Sequence, residues 1–343
     1  MKLTPRWLVC IPAAAFAVLA GCTSGASSGN SGAPTTPNTS NAPSGTTSAP
    51  SSRAAAAQSA STSASSKPAP NAQPVHIQLK FSDGQTFGVG IPVIAFFSRS
   101  TIDASALQKA TTVKINGQKV TGGRWYFEPV SGHPGYPLEG DYRLRDPWPA
   151  HARIFVDIPA TGLSAGPGLA FENSLTSSFA TGASHIATVS NATHTLTLKV
   201  DNQVEGRYAV SLGASNTPTA RGTKVVMEKG LDIRMTGPGY DDPHVKFTQR
   251  LTYGGEYLHA APWNCTGRPG CAGPANNIGQ ADSSNGCTNL RPGDAEKLYG
   301  LLRIGDIVQY PDANGPAMTM GAGYGDWNVP WSQWLTGGDV QKI

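Results

Sequence analysis

The sequence is poor in charged residues and in cysteine. Only 14% of its 343 residues are Asp, Glu, Lys or Arg, the formal net charge is +4, and there are five cysteines. No cluster of Lys and Arg interleaves with aromatic residues, so nothing favours binding to nucleic acid. Long amphipathic helical patterns are also missing, whereas Gly and Pro are frequent, with 40 and 27 residues. This composition predicts a mainly β protein whose short strands are joined by turns.

Signatures of metals and cofactors are missing too. Cys265 and Cys271 have no second pair of ligands in the sequence, which a structural zinc site would need. Neither a phosphate-binding glycine loop nor a nucleotide fingerprint occurs. We therefore expect no metal and no cofactor.

The N-terminus has the pattern of a bacterial export signal. Lys2 and Arg6 accompany the apolar run WLVCIPAAAFAVLA, residues 7–20, which is short for a membrane span. The run leads into LAGC, residues 19–22, which resembles the lipobox, in which the cysteine is lipidated. We predict a signal peptide at residues 1–21 and a lipid anchor on Cys22 as the only attachment to the membrane. The protein would then face the extracytoplasmic, cell-wall side, and an ordinary signal peptide is the alternative.

Residues 22–74 contain the predicted lipidated cysteine and then Ser, Thr, Ala, Pro, Gly and Asn with almost no apolar side chains. Such a segment cannot bury enough surface to offset its ordering entropy, so we predict a disordered linker. The next hundred or so residues carry short β-like runs separated by turn signals, such as VHIQLKF and ARIFVDIP. They predict a β-sandwich.

The remaining cysteines raise the question of a nucleophile. Cys265 and Cys271 flank TGRPG, a turn that could bring their Cα atoms within disulfide range. In an exported, oxidising setting this pairing would leave Cys287 as a free thiol, although other pairings stay open from the sequence alone. A thiol that is kept free in such a setting is a candidate nucleophile.

Cys287 precedes a predicted helix at residues 292–302 and needs a base, because a thiol with a pKa of about 8.5 is mostly protonated at neutral pH. His259, at the end of the predicted strand LTYGGEYLH, is the candidate base. The main-chain N–H groups of Asn285, Gly286 and Cys287 could converge in the turn as an oxyanion hole. Gly286 would permit the positive φ that such a turn requires.

These residues resemble the motif of the L,D-transpeptidases of the YkuD type, in particular the mycobacterial and other actinobacterial members that carry immunoglobulin-like domains. The motif is a histidine, a spacer and then Ser/Thr-His-Gly-Cys-x-Asn, and it maps onto His259, Ser284, Gly286, Cys287 and Asn289. Three other stretches are similar as well, namely SLGASNTPTARG at 211–222, LHAAPW at 258–263 and GDWNVPWSQW at 325–334.

The resemblance implies an architecture. An immunoglobulin-like domain is expected at residues 75–183, and a catalytic β-domain with one short helix after the cysteine motif at residues 184–313. Residues 314–343, rich in Trp, would brace the two domains against each other.

The resemblance also implies a reaction. Cys287 would attack the carbonyl between the third residue of a peptidoglycan stem tetrapeptide and its terminal D-Ala, with release of D-Ala. The amine of a diaminopimelate on an acceptor stem would then attack the thioester and form a 3→3 cross-link. Carbapenems are the expected inhibitors.

Each motif residue receives a role from the same resemblance. His259 would take the thiol proton, and the main-chain carbonyl of Ala260 would orient its ring. Tyr240, on a lid over the pocket, is expected to contact substrate. The other expected substrate contacts are Ser284, Asn285 and Asn289.

Three features depart from the family pattern. Asn285 replaces the motif histidine, which changes activity or specificity if that ring contacts substrate. Ala260 stands where relatives often have serine, but a carbonyl role survives this change. His259 and Cys287 are 28 residues apart, a longer spacing than usual, and the excess holds Cys265 and Cys271. We predict that these two close an inserted loop, which either remodels the acceptor site or only stabilises the domain.

Two other functions remain compatible with this sequence. The same Cys287–His259 pair could serve an L,D-carboxypeptidase that uses water as the acceptor. Asn285 could instead mark a degenerate, non-catalytic lipoprotein that only binds peptidoglycan.

Overall fold

The computed structural model describes residues 71–130, 132–237 and 239–343. The predicted signal peptide, Cys22 and the predicted linker up to residue 70 lie outside the described residues. The described chain is mainly β, which confirms the predicted fold class, and it contains 21 strands with only three short α-helices. None of the described helices is long and apolar enough to cross a membrane.

The N-terminal domain contains twelve strands and one short helix, α1 (Ser105–Ala110). The strands are β1 (Gln73–Val75), β2 (Ile77–Leu79), β3 (Thr86–Phe87), β4 (Val93–Phe97), β5 (Thr112–Ile115), β6 (Gln118–Val120), β7 (Arg124–Pro129), β8 (Leu138–Arg143), β9 (Arg153–Ile158), β10 (Ser164–Gly166), β11 (Leu169–Phe171) and β12 (Leu175–Thr181).

These strands form three sheets, in the orders β1-β11-β10, β3-β12-β9-β5-β6 and β2-β4-β8-β7. Strand β9 shows why they form a sandwich, because its inward residues Ile154, Val156 and Ile158 alternate with more exposed ones. Strand β1 begins at Gln73, inside the segment predicted as linker, because it pairs in parallel with Leu169–Phe171.

The second domain contains nine strands and one helix, α2 (Pro292–Leu301). The strands are β13 (His185–Ser190), β14 (Thr195–Val200), β15 (Gln203–Ser211), β16 (Gly222–Val225), β17 (Glu228–Gly237), β18 (Tyr240–Arg250), β19 (Tyr257–Ala260), β20 (Thr288–Leu290) and β21 (Ile307–Tyr310).

The nine strands form one sheet in the order β16-β21-β13-β14-β15-β20-β19-β18-β17. Two neighbouring pairs are parallel, β13 with β21 and β19 with β20. Helix α2 begins at Pro292, where a proline costs no helical hydrogen bond, and it buries Ala295 and Leu298 against the sheet domain. The predicted helix after the cysteine motif is therefore present.

The C-terminal segment contains 3₁₀ turns at Met320–Ala322 and Asp326–Asn328 and the short helix α3 (Trp331–Trp334). It bonds to the first domain, because the indole N–H of Trp334 donates to the Arg124 carbonyl at 3.0 Å. It also bonds to the second domain, because the Asn328 amide donates to the carbonyl of Thr223 and accepts from its N–H, both at 2.7 Å. The segment thus contacts both domains.

The two domains also contact each other directly. The N–H of Gly88 donates to the carbonyl of Ile304 at 2.8 Å. A Cβ at position 88 would lie 2.2 Å from the main-chain N of Asp306, so only glycine allows this approach. Val225 and Met227 of the second domain join the apolar core of the first. The domains therefore share part of their core.

Acidic residues are concentrated beside this contact. Glu128, Glu139 and Asp141 come from the first domain, and Asp326 comes from the C-terminal segment. Burial raises the pKa of Glu128 and of Glu139 to about 7 and that of Asp326 to about 6, and it also raises the pKa of Asp141. Arg143 is buried as well, and its guanidinium donates to main-chain carbonyls, including that of Asp326.

Candidate active site

Two neighbouring parallel strands bring the candidate catalytic residues together. In the register of β19 and β20, His259 lies opposite Asn289. Cys287 directly precedes β20 and is two positions before Asn289, which places both side chains on the same face. His259, Cys287 and Asn289 all line one cavity at this end of the sheet. The other residues around that cavity are Met235, Tyr240, Asp242, Val245, Trp263, Ser283, Ser284 and Asn285.

His259 is buried and held in one tautomer. Its Nδ1 lies 2.8 Å from the Ala260 carbonyl oxygen. Because a carbonyl can only accept, Nδ1 must carry the proton, which leaves Nε2 free to take one. Burial lowers the pKa of His259, while the Ala260 carbonyl and the Asp242 carboxylate act in the opposite direction. The ring is therefore a neutral base around pH 7.

Cys287 is the one free cysteine in the described residues. Its thiol donates to the Gly255 carbonyl, with Sγ and O 3.6 Å apart. Burial raises the pKa of this thiol to about 11, and the charge of Glu256 adds to the rise while that of Lys224 opposes it. The thiol is thus protonated at rest, so Cys287 and His259 do not form a standing ion pair.

Hydroxyl groups hold the loop before Cys287. The hydroxyl of Ser284 donates to the Cys287 carbonyl at 2.5 Å, and that of Thr219 donates to the Gly286 carbonyl at 3.0 Å. A third, from Thr217, donates to the Ser284 carbonyl at 2.9 Å. The hydroxyl of Ser284, predicted to contact substrate, is therefore committed to the loop itself.

The loop carries unused donors. Among the described residues, the main-chain N–H groups of Asn285, Gly286 and Cys287 have no hydrogen-bond acceptor. Gly286 has a φ of +100°, a region that favours glycine, and its neighbours Asn285 and Cys287 line the cavity. An oxyanion hole formed by these three N–H groups stays a prediction.

Three further predicted site residues line the cavity. Asn289 is buried, and its Oδ1 has no partner within the described part of the chain. Tyr240 opens strand β18 and packs against the main chain at Gly237, where a Cβ would lie 2.4 Å from its ring. The side chain of Asn285 is exposed at the cavity mouth.

The inserted loop reaches the same cavity. It contains the predicted disulfide between Cys265 and Cys271. The ring of Trp263 lies 5.9 Å from that of His259, between ring centroids, and is 40% exposed. The Asn264 amide donates to the Ser283 hydroxyl at 2.7 Å, which ties the loop to the residues before Cys287.

Sequence reasoning missed four residues around the thiol. Trp263 and Asp242 line the cavity, and Lys224 and Glu256 lie beside Cys287. Trp263 directly follows the His259 motif, and that position was an available signal. Lys224 stands in the strand run GTKV, where an isolated lysine looks like a solvent-facing residue. Across the described residues, no group of three or more His, Cys, Asp or Glu side chains could hold a metal ion.

A buried cysteine and a buried histidine line one cavity, on a sheet that follows a β-sandwich. Residues 184–309 match the L,D-transpeptidase catalytic domain family, YkuD, and residues 33–164 match the bacterial Ig domain family. The chain therefore carries a YkuD L,D-transpeptidase domain behind an immunoglobulin-like domain.

Mycobacterial relatives agree with this assignment. L,D-transpeptidase 2 of Mycobacterium tuberculosis is 28% identical over 280 residues, which are 78% of this chain and 64% of that protein. The chain thus spans less than two thirds of that relative's length.

Solved structures are similar too. An L,D-transpeptidase from Mycobacterium smegmatis has a TM-score of 0.51 at 27% identity, over 69% of this chain and 99% of that one. LD transpeptidase LdtMt1 in complex with imipenem has a TM-score of 0.52 at 25% identity, over 71% and 99%.

Proposed function

We propose that this protein is an L,D-transpeptidase that forms 3→3 peptidoglycan cross-links through a thioester on Cys287. The observation that carries the proposal is the placement of Cys287 and His259 in one cavity, with Nδ1 of His259 bound to the Ala260 carbonyl. This leaves Nε2 as the group that can receive the thiol proton.

In the first step His259 takes the proton of Cys287, and the sulfur attacks the carbonyl carbon between the third stem residue and D-Ala. The N–H groups of Asn285, Gly286 and Cys287 stabilise the negative oxygen of the tetrahedral intermediate. The C–N bond then breaks, the proton on His259 passes to the leaving nitrogen, and D-Ala departs. A thioester on Cys287 remains.

In the second step an amine replaces D-Ala. Asp242 is the one formally charged side chain that lines the cavity in the described chain, and its carboxylate suits an acceptor that arrives as an ammonium group. Asn289 Oδ1 adds a buried acceptor without a partner among the described residues. The ammonium group of diaminopimelate loses one proton to solvent, and neutral His259 takes a second proton from the nitrogen as it attacks. The new amide forms, the C–S bond breaks, and that second proton passes from His259 to the sulfur, which restores the thiol of Cys287.

The disaccharide tetrapeptide tests the proposal when it is incubated with wild-type protein and with Cys287→Ala. We expect cross-linked dimer and free D-Ala from the wild type and neither from the variant. Trimmed monomer without dimer would instead mean an L,D-carboxypeptidase. Neither product, together with no imipenem adduct on Cys287 by mass spectrometry, would mean a domain that only binds peptidoglycan.

The proposal includes a place of action. The LAGC sequence at residues 19–22 supports a lipid anchor on Cys22 that holds the enzyme on the cell-wall side of the membrane. Metabolic labelling with an alkyne fatty acid should mark wild-type protein and Cys10→Ala, but not Cys22→Ala. Equal labelling of both variants would contradict a lipid anchor at Cys22.

A further inference from the structure

Lys224 is a lysine with no exposed side-chain surface. It lies on β16, the edge strand of the sheet, with its ammonium group in an ion pair with Glu256 and 3.9 Å from the centre of the Tyr310 ring. A buried ammonium is unfavourable unless it is paired and contacted by polar or aromatic groups. The proposed chemistry gives this lysine no role, so its position requires another explanation.

Glu256 joins this lysine to the nucleophile loop. It lies in the turn before β19, and its Oε1 accepts from the N–H of Ala220 at 2.8 Å. Its Cγ lies 3.8 Å from the point where a Cβ would stand on Gly286. The residue before it, Gly255, accepts the hydrogen bond of the Cys287 thiol. The Glu256 side chain is therefore packed beneath the loop that carries the sulfur.

Lys224 reaches the other side of the same loop. The hydroxyl of Tyr310, whose ring lies beneath the ammonium group, is 2.7 Å from the hydroxyl of Thr288. Thr288 directly follows Cys287 and is buried. Contacts from Lys224 and Glu256 thus border Cys287 on both sides along the chain.

The charges of the pair act on the thiol in opposite directions. The charge of Glu256 raises the pKa of Cys287, and that of Lys224 lowers it. The other titratable groups facing the sulfur are His259, which is neutral around pH 7, and Asp242 across the cavity. Three tyrosines nearby, Tyr240, Tyr257 and Tyr310, stay protonated because burial raises the pKa of each.

We propose that Lys224 and Glu256 are positioning residues for the nucleophile: they hold the main chain around Cys287 and balance the charge beneath its sulfur. The thiolate then forms when His259 takes the proton, not through a fixed charge below. The inference rests on the proposed function only in taking Cys287 as the reacting group.

The test compares Lys224→Met with the double variant Lys224→Met/Glu256→Gln. Each protein is treated with iodoacetamide across a pH series, and mass spectrometry of the Cys287 peptide gives the alkylation rate. In Lys224→Met the carboxylate of Glu256 remains uncompensated, so the midpoint of the alkylation rate against pH should rise by about one pH unit. At a fixed pH below the midpoint, alkylation of Cys287 should then be about tenfold slower than in the wild type. The double variant has neither charge, so its midpoint should return towards the wild-type value.

Lys229→Met is the matched control. Like Lys224, Lys229 lies close to an aromatic ring centre, at 4.3 Å, but it donates to the main-chain carbonyls of Tyr299 and Leu302 instead of to a carboxylate. It does not line the Cys287 cavity, so the midpoint should stay at the wild-type value. Circular dichroism and thermal melting establish that each variant is folded.

Two results would overturn the proposal. One is a folded Lys224→Met protein with an unchanged midpoint. The other is an equal rise in the single and the double variant, which would make lost packing the cause instead of charge. Imipenem acylation of Cys287, measured in parallel on wild-type protein, tests the proposed function separately from the proposed role of Lys224 and Glu256. If Cys287 takes up no imipenem, the proposed function fails. The alkylation rates of the variants still test the proposed role of Lys224 and Glu256.

Discussion

His259 and Asn289 lie opposite each other on neighbouring parallel strands, and this register brings the imidazole and the Cys287 thiol to one cavity. Burial shifts the pKa values of these two groups in opposite directions. Burial lowers the pKa of His259, so the base is ready, while burial raises the pKa of Cys287 to about 11, so the thiol is protonated. Both shifts oppose a standing thiolate–imidazolium pair, so in the proposed reaction the proton moves only as the sulfur attacks.

The first prediction concerns the pH dependence of acylation. The rate at which imipenem acylates Cys287 should rise with pH as His259 loses its proton, and the midpoint should lie below the ordinary histidine value of about 6.5 because the folded pKa is lowered. Stopped-flow absorbance or mass spectrometry gives this rate. In His259→Gln it should fall by about 10²–10⁴-fold, and the acid limb should vanish.

His151→Gln is the control for that experiment, because His151 is a surface histidine that pairs with Asp201 at 2.8 Å. It should keep the wild-type profile. A wild-type midpoint above pH 8 would show that ionisation of the thiol, and not of His259, sets the rate.

The second prediction concerns Gly286. Its φ of +100° is unfavourable for any residue with a side chain, although a Cβ would meet no atom closer than 3.7 Å. Gly286→Ala should therefore fold but cost about 1–2 kcal/mol in loop strain, and it should slow imipenem acylation because the N–H groups shift.

Gly293→Ala on helix α2 is the matched change, because no atom lies within 4 Å of the Cβ it would add. This variant should keep the acylation rate and melt at the same temperature or higher. If imipenem acylated Gly286→Ala at the wild-type rate, the geometry of the loop before Cys287 would not affect acylation.

Particular residues show how far the sequence could predict this site. The spacing around Cys287 and the glycine before it indicated a turn, and both the turn and the following helix are present. Lys224 and Glu256 are 32 residues apart, and no local pattern reveals that their strands and turns meet below the thiol. Contacts of that kind depend on strand order, which short-range periodicity does not encode.

The third prediction concerns Asp242. Its negative charge raises the pKa of His259, and in the proposed reaction it faces the acceptor ammonium group. Asp242→Asn should move the acid limb of acylation to lower pH and raise the KM for the amine acceptor, with a smaller effect on imipenem acylation at neutral pH. Acylation by imipenem and dimer formation from muropeptides, measured separately, give the two results.

Asp241→Asn is the neighbouring control, because Asp241 pairs with Arg234 on the exposed hairpin. It should leave both measurements unchanged. Equal behaviour of the two variants would exclude a specific contribution of Asp242.

The fourth prediction concerns the acidic residues at the domain contact. The folded pKa of Glu139 is raised to about 7, mainly by burial, and the charge of Asp326 adds to this while that of Lys80 opposes it. A raised carboxyl pKa means that the folded state binds more protons than the unfolded state between about pH 4.5 and 7. Stability should therefore fall as pH rises through this window, by up to about 1.4 kcal/mol for each pH unit and shifted group.

Thermal melting from about pH 5 to about pH 8 checks this slope. Glu139→Gln removes one titrating carboxyl and keeps the shape of the side chain, so its melting temperature should fall less over the same range. Glu296→Gln, an exposed residue on helix α2, should keep the wild-type slope. If Glu139→Gln also kept the wild-type slope, Glu139 would not lose a proton over this pH range, and its raised pKa would be contradicted.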